Sequence, residues 1–206
     1  MRLIAILFGT AAFASGQPEA SLAPGLTASP GLTPIPTPTP FVVTTGEASQ
    51  LDLASKVRLV ESRGCKRQRE QIREPQWFSD LIQNSPEFRM ENKRRNVKVV
   101  FRTSAELGLK EAGGPGEPIP NFKEQIEKNG YRLCSHEVAA LILTKVKGPI
   151  LPTYIATETI SGKGQKGEPI QLVPVIFSDE DGNVCPVARK LDLYPAAPRQ
   201  FFVVEP

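Results

Sequence analysis

Cys134-Ser135-His136-Glu137 is the one place in this 206-residue chain where a thiol, a hydroxyl, an imidazole and a carboxylate are adjacent. Nucleophilic catalysis by Cys or Ser needs a base in hydrogen-bond reach and a third group that orients the base. The chain has a single His, so a small Cys/Ser-His hydrolase would have to use His136, with Cys134 or Ser135 attacking. Four consecutive residues at a helix start project in different directions, and two of them already have structural work. Ser135 suits a helix N-cap, and Glu137 suits the positive end of the helix dipole. The balance favours structure over catalysis, so no catalytic residue is assigned and the hydrolase is kept as the alternative. No metal or cofactor is assigned either. One His leaves no two-histidine motif, and Asp179, Glu180 and Asp181 lack the ligand spacing of a calcium loop. Gly162-Lys163-Gly164-Gln165-Lys166-Gly167 has the composition of a phosphate loop without its following helix or Lys-Ser/Thr ending, and reads as a hairpin loop.

Cys65, Cys134 and Cys185 form no Cys-x-x-Cys pair. In an oxidising compartment one disulfide and one free thiol are expected. Cys134 with Cys185 is the preferred pair, both lying in the more structured carboxyl-terminal half. Cys65, between Arg63-Gly64 and Lys66-Arg67, then carries the thiol whose thiolate cationic neighbours stabilise. Three reduced, partly buried cysteines are the alternative.

The formal net charge of +3 conceals an uneven distribution. Lys56 to Arg102 holds 13 basic and six acidic residues, a net +7, whereas Thr103 to Pro206 nets −2. Arg63, Lys66, Arg67, Arg69, Lys93, Arg94 and Arg95 are the candidate binding residues of this basic region. A focused basic face suits an anionic lipid surface or an acidic polymer. Aromatic residues interleave poorly with the charge, so base stacking has little to rest on and nucleic acid is disfavoured as a partner. A solvated face that keeps the protein soluble is the simpler account of the same residues.

Compartment is read from the amino terminus. Met1-Arg2 followed by the apolar run Leu3 to Ala14 matches a secretory signal, too short for a spanning helix. Cleavage after Ala14 or Gly16 fits the small residues there, giving a signal over residues 1–16. Residues 17–46 hold seven of the 20 prolines and six threonines. Prolines at alternate positions from Pro34 to Pro40 remove amide donors and favour extended backbone. That segment reads as a disordered spacer, with threonines open to glycosylation.

Residues 47–206 remain for one domain. Lys56 to Val60 is ambiguous between a strand and the end of a helix begun near Ala48, and Cys65 to Arg73 has helical composition. Trp77, Phe78, Leu81 and Ile82 share one helix face, with Trp77 as anchor. Asn96 to Arg102 alternates as a strand with Val97, Val99 and Phe101 on one side. Asn121 and Glu124 have capping-box spacing, Asn129-Gly130 is a carboxyl-cap signal, and Ser135 caps a further helix. Strands are expected over Thr153 to Ile160, Pro169 to Phe177, Val184 to Ala188 and Phe201 to Val204. Pro174 suggests an edge or a bulge, and Asp181-Gly182 a hairpin turn. Helices followed by a small antiparallel sheet give an α+β class.

Leu107-Gly108, Asn129-Gly130-Tyr131-Arg132-Leu133-Cys134 running into Glu137-Val138, and Phe201-Phe202-Val203-Val204 together resemble an uncharacterised bacterial domain family of candidate-phylum bacteria. The resemblance covers Val97 to Glu205. Ser135 stands where that family usually has Pro, and Ala140 to Leu143 where it has Leu-Arg-Leu. The resemblance implies a mixed α/β domain and no assigned activity. The sequence thus points to a secreted or cell-envelope, non-enzymatic binding domain that meets an anionic surface through Lys56–Arg102. A cytoplasmic protein whose amino terminus only imitates a signal is the remaining alternative.

Overall fold

The computed structural model describes residues 39–63, 77–109, 119, 121–147, 150–163, 167–179, 182–190 and 200–206. The expected signal, most of the linker and the Cys65–Arg73 helix lie outside them. The described chain is α+β, with β1 (Phe41–Thr45), α1 (Gln50–Arg63), α2 (Phe78–Asn84), β2 (Arg95–Thr103), α3 (Phe122–Lys128) and α4 (His136–Lys145). Then come β3 (Thr153–Ile155), β4 (Ile160–Lys163), β5 (Pro169–Ser178), β6 (Val184–Lys190) and β7 (Phe201–Val204).

The seven strands form one sheet in the order β1-β2-β7-β3-β5-β4, with β6 on the other flank of β5. Every pairing is antiparallel except β3 with β7. Side-chain alternation sends neighbouring residues to two separate cores. Val97, Val99 and Phe101 of β2 join Ile155, Ile176 and Val203 under Leu53, Val57, Phe78, Ile82, Val138 and Ile142 of α1, α2 and α4. Val100, Tyr154, Val173, Val175 and Phe202 face the other way, beneath Phe122 and Ile126 of α3. Phe202 centres that second core, its ring 5.5 Å from Tyr154 and 5.8 Å from Phe122.

Several local expectations need correcting. Phe41–Thr45, read from sequence as linker, is β1, and Val43 is fully buried. Four consecutive β-branched residues, Val42 to Thr45, paired in register with β2 outweigh the flanking prolines there. Phe78 rather than Trp77 anchors α2, because Trp77 precedes the helix and is only half-buried. Trp77 offers α2 no side-chain cap. The carboxylate of Glu61 on α1 supplies one, accepting from the Ser79 amide at 3.1 Å and from the Ser79 hydroxyl.

Asn121 adopts φ 51° with no side-chain cap bond, so the capping box does not form. That backbone is left-handed, a conformation Asn tolerates better than most residues. Asn129-Gly130 does end α3, with Gly130 at φ +80°. Thr153 to Ile160 is interrupted, giving β3 and β4 on either side of residues 156–159. Pro174 lies inside β5, paired with Ala188 of β6 on one flank. Its other flank falls in the gap between β4, which pairs as far as Leu172, and β3, which pairs from Val175. A residue without an amide hydrogen is accommodated where the ladder is already open on one side.

Candidate functional site

α4 begins at His136, and Ser135 caps it as expected, its Oγ accepting from the Val138 amide at 3.3 Å. The four residues of the 134–137 cluster then diverge. Cys134 is buried and its Sγ lies 3.7 Å from the carbonyl of Val203. Burial pushes its thiol well above the ordinary range, which disfavours the thiolate. Ser135 donates its hydroxyl to Glu91 at 2.6 Å. His136 is 7% exposed and stacked on Phe88, with ring centroids 5.6 Å apart. Its Nδ1 accepts from the Arg89 amide at 3.3 Å, and its Nε2 lies 3.0 Å from the Glu158 carbonyl. A carbonyl can only accept, so Nε2 carries the proton and both ring nitrogens are committed to main chain. Neither Cys134 nor Ser135 hydrogen-bonds the ring. Glu137, 1% exposed, turns away from it, with Oε1 2.7 Å from the Gly46 amide and Oε2 2.7 Å from the Glu91 amide. This arrangement joins strands, loops and helix, and leaves the His136 ring hydrogen-bonded to main chain in place of Cys134 or Ser135.

Around it lies a polar network invisible in sequence. Glu91 takes both Arg95 Nε and Nη2, at 2.5 and 2.6 Å, together with the hydroxyls of Thr45 and Ser135. Arg95 continues to the carboxylate of Glu205 at 3.2 Å, itself 4% exposed. The Arg95 bonds, then those of Ser135 and Thr45, bring the Glu91 carboxyl down to about 2 against the burial that would raise it. The Glu91–Arg95 spacing of four is the only trace in the sequence, and it is concealed because these residues precede and begin a strand instead of sharing a helix face. Replacing Ser135 with Ala removes both the cap and the bond to Glu91, and should cost about 1–2 kcal/mol in urea unfolding.

The preferred disulfide is not formed. Cys134 carries a free thiol, whereas Cys185 is disulfide-bonded. The two sulfurs belong to opposite faces of the sheet, Cys134 with the α1–α4 core and Cys185 with the α3 core. The chain's remaining cysteine, Cys65, lies outside the described residues.

The basic candidates also separate. Arg95 is held by Glu91 and Glu205, and Arg94 pairs with Glu47 at 2.6 Å on the surface. Lys93 and Arg63 are exposed, while Lys66, Arg67 and Arg69 lie outside the described residues. Lys93 and Arg94 border Gly46, just before α1, and Arg63 ends that helix about 20 Å away at the usual rise per residue. The described candidates therefore do not converge on one point. α1 itself presents Leu51 and Leu59, 61% and 49% exposed, on its outer side beside exposed Lys56 and Arg63. Among the described residues no helix is long and apolar enough to cross a membrane. No group of three or more metal-ligating side chains is placed to hold an ion among them. No family model matches the chain, and neither does any curated protein or any solved structure.

Proposed function

We propose that this protein is an exported, non-enzymatic binding domain that docks on an anionic lipid surface through the outer face of α1. The observation that carries the reading is the pair of exposed leucines, Leu51 and Leu59, beside Lys56 and Arg63. Exposed apolar side chains next to lysine and arginine fit the boundary of a membrane, where the leucines enter the headgroup layer and the cations meet its charge. An acidic soluble polymer would use the cations and leave the leucines in water. The commitment of His136 and Glu137 to main-chain partners supports a binding role over hydrolysis.

Co-sedimentation with phosphatidylglycerol vesicles and with phosphatidylcholine vesicles tests this. Binding should be confined to the anionic vesicles and fall steeply as salt is raised to roughly 0.5 M. Lys56→Gln with Arg63→Gln should weaken it roughly thirty-fold, at about 1 kcal/mol for each cation near the surface. Equal binding to both vesicle types, or none to the anionic ones, would overturn the reading. Recovery of intact Met1 on a cytosolic protein, by mass spectrometry of the amino terminus, would overturn its export half.

A further inference from the structure

Residues 85–94 join α2 to β2 without regular structure and form a strap against the first turn of α4. Two main-chain amides of the strap dock on consecutive residues of that turn. Arg89 donates to Nδ1 of His136 at 3.3 Å, and Glu91 to Oε2 of Glu137 at 2.7 Å. Phe88, 4% exposed, stacks on the His136 ring, and Met90 packs partly buried against the same core. Two carboxylates pin the strap on either side of these residues. Glu87 accepts from the Ser161 amide and hydroxyl of β4 at 2.5 and 2.7 Å, and Glu91 holds Thr45, Ser135 and Arg95.

We infer that protonation of His136 opens the centre of this strap and turns Phe88 and Met90 toward solvent. In the closed form Nε2 gives its hydrogen to the Glu158 carbonyl, and the Nδ1 lone pair takes the Arg89 amide. A proton from solvent can therefore bond only at Nδ1, on the lone pair that holds the strap. The Arg89 N–H then faces another N–H, and the main chain there leaves the ring. Imidazole is the side chain that makes this change between about pH 5 and 8. Both pinning carboxylates stay charged over that range. Glu91 is held at about 2, and Glu87 is lowered, first by its Ser161 bonds and in smaller part by the His136 charge. The motion is thus confined to residues 88–90. Among the described residues, the other charges near the ring have partners of their own. The Arg89 guanidinium donates to the Pro86 carbonyl at 2.6 Å, the Glu137 carboxylate holds the Gly46 and Glu91 amides, and the Glu158 carboxylate pairs with Lys123 at 3.2 Å. Glu87 is the near carboxylate that favours the cation. The device is separate from the outer leucines of α1 and does not depend on membrane docking.

Met90 is the only methionine beyond Met1, and His136 the only histidine, so each can be followed alone. The full chain is treated with dilute hydrogen peroxide, which transfers one oxygen to the thioether, and sulfoxide formation at Met90 is timed by peptide mass spectrometry. Free methionine at each pH is the reference. Relative to it, the Met90 rate should rise about ten-fold from about pH 7.5 to 5.5, the worth of one hydrogen bond. The midpoint should coincide with that of the imidazole, followed by proton NMR. His136→Gln should remove the pH dependence, and if that variant fails to fold, coincidence of the two midpoints in the wild type decides. A rate flat with pH, a midpoint away from that of the imidazole, or the same rise in His136→Gln would overturn the inference.

Discussion

Replacing Glu137 with Ala is expected to destabilise the domain by about 3 kcal/mol, a large share of what a domain of this size has in hand. The side chain is 1% exposed and both oxygens accept main-chain amides at 2.7 Å, from Gly46 and from Glu91. Each bond to a charged acceptor contributes about 1.5–3 kcal/mol, and the exposed position of Gly46 lets water recover part of one of them. The β1–α1 connection has little room to rearrange. Gly46 sits at φ +71°, and a Cβ there would come within 2.8 Å of the Arg94 amide nitrogen. Glu137→Gln should recover only part of the loss, since an amide keeps one acceptor oxygen and turns a donor toward the other N–H. Urea unfolding checks this through a lower midpoint at unchanged slope. A loss below about 1 kcal/mol would show that water replaces the carboxylate at both amides.

Glu91→Gln should cost about 1–2 kcal/mol at neutral pH and also flatten the acid limb of the stability curve. In the folded chain the Glu91 carboxyl is lowered to about 2 from 4.5, first by Arg95. A depressed carboxyl contributes stability that is fully present above the unfolded value and is lost as pH falls through the folded one. The window is therefore pH 4.5 down to about 2. Taken at face value the shift corresponds to about 3 kcal/mol, and solvent at the 43%-exposed Arg95 reduces it to about 1–2. Glu61 acts with the opposite sign. Burial raises its carboxyl, so stability falls as pH rises from 4.5 through its folded value. Unfolding of the wild type and of Glu91→Gln across both windows separates the two groups. An acid limb equally steep in the variant would remove Glu91 from the account.

Elements whose residues carry their own pattern were legible in the sequence. β2 carries Val97, Val99 and Phe101 at alternate positions, Ser135 stands three residues before the amide it caps, and Asn129-Gly130 ends α3. β1 was not legible, because Phe41–Thr45 follows a proline-rich run and owes its burial to a partner more than 50 residues away. The same holds at the site. Glu137 as a helix-start carboxylate could be read locally, but its partner Gly46 is 91 residues distant. The Glu61 cap of α2 spans 18 residues and replaces a local cap that Trp77 does not provide. The disulfide expectation weighed which half of the chain held each cysteine, whereas the sheet decides by face, and Cys134 and Cys185 lie on opposite ones. The charge distribution is reshaped for a related reason. Counting along the chain treats Arg95 and Lys93 alike, although only one of them has Glu91 and Glu205 folded onto it.

β7 lies between β2 and β3, antiparallel to one and parallel to the other, although it follows every other strand in the sequence. During synthesis the β1–β2 ladder and the β3–β6 group around β5 are therefore made as separate pieces, each with an exposed hydrogen-bonding edge. They are joined only when residues 201–204 emerge. No earlier segment occupies that central place, so the final strand sets the time at which the sheet closes. Such late, long-range closure makes for slow folding and for a nascent chain whose open edges need shielding until the last strand arrives.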